Sequence, residues 1–208
     1  MIKALMLVFD TTKTWEKVFR EQRSTTFILF AHLLPLLVLT SIAEGYGLMH
    51  WGEPQWNLNR VRQFTLNEAL EFELGQLLLS ILVVFVGAWI IKSLGETFHG
   101  KHNINQSFTV VAYGLSPLFT LRLLDTFAIS PWVPWAVGIL LAATILYQGL
   151  PRIMRPDPPH ALGLYLMSVL MLTIATGLAR FVTAWYLQGR FTPAESIAHF
   201  LNSASLFS

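Results

Sequence analysis

The chain has 208 residues, 54 % hydrophobic and 12 % charged, against roughly 25 % charged in an ordinary soluble domain. Its net charge is only +2 and it has no cysteine, which excludes disulfides, thiol nucleophiles and cysteine-ligated metals and gives no basis for nucleic-acid binding. The charges are clumped between long uncharged stretches, which excludes a soluble globule, a disordered chain and a coiled coil, and points to an all-α polytopic membrane protein.

Residues 1–24 read as a cytoplasmic amphipathic segment. Within Asp10–Arg23, Trp15, Val18 and Phe19 share one helix face while Lys13, Lys17 and Arg20 line the other. That pattern predicts a helix in the headgroup layer, with the indole anchored and the cations on anionic lipid; the alternative is packing against a bundle. Five segments then supply the approximately 20 apolar residues that a crossing requires.

The first span, Thr25–Ala43, is uncharged and carries His32 three residues before Pro35, where a kink is expected. It is ended by Glu44, Gly45 and Gly47. The loop 44–73 is the one sizeable soluble piece, with Tyr46, Trp51 and Trp56 suited to an aromatic belt. Thr65-Leu66-Asn67-Glu68 is a capping box, so the second helix should start about two turns before the membrane. Glu68, Glu71 and Glu73 would meet its positive end, as a solvated helix start rather than a cation-gathering mouth. The second span is Leu74–Ile91.

After it, Glu96, His99 and His102 recur at three-residue spacing, types that suit zinc. Gly100 interrupts the helix such a site needs and Lys101 adds repulsion, so an ordinary turn without metal or cofactor is expected. The third span, 108–125, contains the most irregular intramembrane stretch, Tyr113-Gly114-Leu115-Ser116-Pro117. It ends with Arg122 and Asp125, three residues apart on one face and expected to neutralise each other. The linker Thr126–Ser130 forces an antiparallel hairpin with the fourth span, Trp132–Leu150, whose Gly138, Ala142 and Ala143 would let a helix approach closely. The fifth, Ala161–Leu187, has Arg180 late in its course. Residues 188–208 carry a second cap signature, Thr192-Pro193-Ala194-Glu195, then Ile197, Ala198 and Leu201 at helical spacing. This reads as an outer-face interfacial helix.

Lys3, Lys13, Lys17, Arg20, Arg23, Lys92, Lys101, Arg152 and Arg155 fall on one side, which places the N-terminus in the cytoplasm and the C-terminus outside. No cleaved signal peptide is expected. Ionisable and polar residues within spans are functional candidates by default: here His32, Tyr113, Ser116, Pro117, Arg122, Asp125 and Arg180, with a paired or snorkelling structural role favoured for the charged three. No nucleophile elbow, phosphate loop or HExxH pattern is present, so an enzyme is not expected.

Three stretches carry a resemblance: Asp10, Trp15 and Val18 before the first span; Ala112-Tyr113-Gly114-Leu115-Ser116-Pro117 in the third; and Leu146-Tyr147-Gln148-Gly149-Leu150-Pro151 leading to Met154, Pro156 and Ala161-Leu162. In this order they resemble the bacterial branch of the Yip family, relatives of the Ypt/Rab-interacting membrane proteins. The resemblance implies a five-helix membrane domain of the cytoplasmic membrane without a catalytic site. Eukaryotic members bind Rab GTPases partly through a long N-terminal region; only 24 residues precede the first span here, so Rab binding is not carried over. The expected partners are the lipid bilayer and other membrane proteins or a second copy. The expected function is non-catalytic binding of membrane proteins or lipids, as an accessory subunit of a membrane complex. The alternative is a small oligomeric channel or transporter. A polar cavity reaching His32 or Arg122 would favour transport, and a dry bundle with an exposed groove of small residues would favour partner binding.

Overall fold

The computed structural model describes residues 11–21, 23–55, 60–100, 103–127, 130 and 132–188. A short helix α1 (Thr11–Glu21) precedes five helices long and apolar enough to cross a membrane: α2 (Thr25–His50), α3 (Leu66–Thr97), α4 (Ile104–Phe127), α5 (Trp132–Met154) and α6 (Ala161–Leu187, entered through a 3₁₀ turn Pro158–His160). A small antiparallel hairpin, β1 (Glu53–Gln55) with β2 (Arg60–Arg62), lies between α2 and α3. The ends at Thr25, Thr97, Ile104, Met154 and Ala161 define a near face. Those at His50, Leu66, Phe127, Trp132 and Leu187 define a far face.

Solvent preference is inverted relative to a soluble bundle. Leu70, Leu74, Leu78 and Leu82 on α3, and Leu162, Leu166, Leu170, Ile174 and Leu178 on α6, are exposed at four-residue spacing. The buried side of the same helices carries Glu73, Gln76, Ser168, Thr176 and Arg180. Outward leucines lose nothing in hydrocarbon, whereas polar groups there must find partners inside. Helix α4 is the central post, buried continuously from Ser107 to Phe119 and packed against α2, α3 and α5.

The prolines act as expected, with a more specific geometry. Pro35 cannot donate to Ala31, and the helix widens into a π turn at Leu29–Leu33 just before it. Pro117 follows a break at Leu115, beyond which Ser116–Leu121 resumes as α-helix and Arg122–Phe127 tightens to 3₁₀.

Several boundaries differ from those expected. The first helix does not stop at Ala43 but continues to His50, because Glu44 turns into the bundle instead of ending the span. The helices at the near face reach Thr97 and Met154, with Pro151 accommodated inside α5. The loop 44–73 is therefore largely helix ends plus the hairpin. Thr65 and Glu68 do form the capping box, with Thr65 N–H donating to Glu68 Oε2 at 2.9 Å and Glu68 N–H to Thr65 Oγ1 at 3.4 Å. The expected C-terminal helix and Trp56 lie outside the described residues.

The amphipathic helix α1 is found docked on α5 rather than with its indole at the lipid boundary. Trp15 is fully buried, and its Nε1 donates to the Ile145 carbonyl at 3.1 Å. The indole lies on Gly149, where an added Cβ would stand 2.4 Å from Trp15 Cζ2. A buried carbonyl satisfies an indole N–H that hydrocarbon would leave unpaired. Lys13, Lys17 and Arg20 stay exposed on the opposite face, and Phe19 is half-buried beneath the Arg155 guanidinium, 4.7 Å from the ring centre. Gly138 and Ala142 are likewise spent inside the monomer: a Cβ on Gly138 would lie 2.8 Å from Leu118 Cα, and Ala142 is fully buried.

Candidate functional site

The intramembrane polar residues separate into two layers. In the near half, the two proline-disturbed segments meet. His32, in the π turn of α2, lies 2.8 Å through Nε2 from Ser116 Oγ, beside the α4 break. Ser116 Oγ also lies 2.9 Å from the Ala112 carbonyl, to which it can donate, so the hydroxyl links the imidazole to the α4 backbone. Tyr113 stacks on His32 with ring centres 4.4 Å apart and meets Trp15 edge-on at 6.4 Å. His32, Tyr113, Ser116 and Pro117 are thus brought together as a buried knot that joins α1, α2 and α4.

In the far half, four spans contribute to an ionic cluster. Glu44 (α2), 2 % exposed, accepts hydrogen bonds at Oε2 from Arg122 Nη2 (2.8 Å), Arg122 Nε (3.3 Å) and Gln76 Nε2 (2.6 Å). Arg122 (α4) also reaches Ser80 Oγ at 3.4 Å and Glu73 Oε2 at 3.6 Å, both on α3. Arg180 (α6) pairs with Asp125 Oδ2 at 2.6 Å and approaches Glu44 Oε1 at 4.0 Å. The expectation that Arg122 and Asp125 neutralise each other is corrected here: each takes its partners from other spans. Inside a low-dielectric bundle a charge needs direct hydrogen bonds; the carboxylate of Glu44 on α2 and the hydroxyl of Ser80 on α3 supply them to Arg122, and the guanidinium of Arg180 on α6 supplies one to Asp125.

The hairpin adds Glu53 from above the spans, 7 % exposed. Burial pushes its carboxyl up to about 7; Arg180 pulls it down, while Asp125 and Glu44 push it further up. Among the described residues the cluster holds four carboxylates, on Glu44, Glu53, Glu73 and Asp125, and two guanidiniums, on Arg122 and Arg180. Neither oxygen of Glu73 and not Oδ1 of Asp125 has a hydrogen-bond partner among the described residues. Fully ionised, the cluster would carry excess negative charge in the membrane.

Against this cluster lies a crevice of about 60 Å³ between α3, α4, α5 and α6. Arg122, Asp125, Arg180 and Ser80 line its polar end; Leu79, Val83, Leu118, Phe119 and Trp135 line its apolar wall. Trp135 is held there by an Nε1–H bond to Thr176 Oγ1 at 3.3 Å. Leu79, Ser80, Trp135 and Ala179 are half-exposed, so the crevice meets the lateral surface of the bundle. Its lining includes Arg122 but not His32.

Sequence reasoning found Arg122, Asp125 and Arg180 but placed Glu44 and Glu73 in solvent. The missed signal is periodic: Glu73, Gln76 and Ser80 occupy one face of α3, opposite its leucine row. Of the histidine-loop candidates, Glu96 pairs with Lys92 at 3.9 Å, and His102 lies outside the described residues.

The model of the Yip1 domain matches residues 5–181, a stretch that takes in α1 and all five long helices up to the far end of α6. The chain belongs to the Yip1 domain family. Comparison with curated proteins and with solved structures finds no match. The two polar layers, the crevice except for Thr183, and all but the last turns of α6 therefore fall within the Yip1 domain.

Proposed function

We propose that this Yip1-domain protein is a non-catalytic integral protein of a bacterial cytoplasmic membrane that binds a membrane lipid laterally, in the crevice between α3, α4, α5 and α6. The observation that carries the reading is the crevice's polarity: apolar walls ending on the guanidiniums of Arg122 and Arg180 and the carboxylate of Asp125. Such a lining suits an amphiphile with a zwitterionic headgroup, its phosphate toward Arg122 and Arg180 and its ammonium toward Asp125. The cations of α1 and of the near-face loops support a cytoplasmic near face. An accessory role beside another membrane protein is compatible with lipid binding, although Gly138 and Ala142 of α5 are consumed within the monomer.

Native mass spectrometry of the protein extracted in mild detergent tests this. The wild type is expected to retain a phospholipid, and Ala179→Phe, which fills the crevice, to lose it while remaining folded. A wild type that carries no lipid, or an Ala179→Phe protein that carries it unchanged, would refute the reading. One observation favours a second reading, a small oligomeric channel or transporter: the cluster has more carboxylates than guanidiniums, an arrangement that protons or cations can complete. Proton or cation flux into liposomes, abolished by Glu73→Gln, is its signature.

A further inference from the structure

Two loops meet at the near face. One follows α3 and carries His99; the other follows α5 and carries Asp157 and His160. One ligand atom from each of these side chains lies within 4.8 Å of the others, and the two imidazole centres are 5.3 Å apart. His99 and Asp157 are exposed and His160 is half-buried, so an ion can reach them.

The loops are clamped by contacts that do not involve the three side chains. Phe98 covers Gly163, where an added Cβ would stand 2.7 Å from the ring, and Gly100 lies against the Met154 carbonyl, 3.1 Å from where its Cβ would be. Among the described residues, the non-glycine positions with positive φ are His99 (54°) and Arg155 (46°), one in each loop. Each lies just past the end of a long helix, where left-handed backbone caps the helix and sets the direction in which the loop leaves. The Nδ1 atom of His160 is buried with no hydrogen-bond partner among the described residues. Among the described residues, the guanidinium of the adjacent Arg155 is drawn off over the Phe19 ring.

We propose that His99, Asp157 and His160 form a transition-metal site, of the type zinc occupies, that ties the α3–α4 loop to the α5–α6 loop. Two imidazoles and a carboxylate are a borderline ligand set that leaves a fourth position for water. Ligand atoms on tetrahedral zinc stand roughly 3.3 Å apart, so side-chain rotation closes the 4.8 Å spread. The sequence spacing offered Glu96, His99 and His102 as a weak zinc set and an ordinary turn without metal was expected; of those three only His99 enters the site, and its partners come from a loop more than fifty residues away in sequence.

The test is zinc titration of the full chain, purified without a polyhistidine tag and held in lipid nanodiscs, with cobalt(II) absorption reporting geometry. The wild type should bind one zinc per chain below micromolar concentration, and cobalt should give the visible bands of a four- or five-coordinate nitrogen–oxygen site. His99→Ala, Asp157→Asn and His160→Ala should each weaken binding about ten-fold or more, whereas His50→Ala, at the far face, should not. Zinc should also raise the unfolding temperature of the wild type, a readout that stands even if a variant fails to fold. Zinc binding weaker than about 10 μM would be adventitious surface chelation and would overturn the site. Unchanged binding by the His99→Ala/His160→Ala double variant would overturn it equally.

Discussion

Arg122 is the residue on which the far-half cluster depends, because it bonds Glu44 and reaches Glu73 while both are buried. Arg122→Leu leaves two carboxylates without their cation and should cost about 3–5 kcal/mol, read as a lowered unfolding temperature. Adding Glu44→Gln and Glu73→Gln to that variant should recover much of the loss, since the uncompensated charges go with them. Glu53 gives a pH signature of definite sign. Burial pushes its carboxyl up to about 7 from the ordinary 4.5, so the folded state holds the proton more tightly. Its contribution to stability is fully present below about 4.5 and is lost as pH rises through 7. Glu53→Gln should flatten the fall in stability across that window and stabilise the protein by on the order of 2 kcal/mol above it. An unchanged pH profile would mean that this carboxyl is solvated.

At the scale of elements, glycine contacts set how the helices fit. The indole of α1 occupies the space over Gly149. Gly149→Leu should therefore expel α1 from the bundle and make Lys17 and its neighbours sensitive to protease. Trp15→Ala should cost about 3 kcal/mol through the lost ring. Between α2 and α4, Gly47 lets the backbones touch: a Cβ there would stand 2.6 Å from the Thr126 carbonyl. The helices, the capping box at Thr65 and the proline disturbances were legible in the sequence, because each depends on local chemistry. The inward turn of Glu44 and Glu73 was not, because both residues sit at span ends where solvation is the ordinary outcome. Only the far ends of α4 and α6, carrying Arg122 and Arg180, make the interior habitable for them. The burial of Trp15 was hidden for the same reason, since its partner Gly149 lies on another helix. His99 and His160 are joined by tertiary approach alone.

For the whole molecule, the fold is a bundle of five helices long and apolar enough to cross a membrane, with its ionic cluster inside and the leucine rows of α3 and α6 outside. That architecture puts the start of α2 and the end of α6 on opposite faces: the near face carries α1 and the cationic loops, and the far face carries the hairpin and Gln188. The native absence of cysteine makes single-cysteine labelling in intact cells the most direct measurement. A membrane-impermeant maleimide should modify Gln188→Cys in intact cells, and Lys17→Cys only after the membrane is opened. Labelling of both positions from the same side would contradict the five-span account.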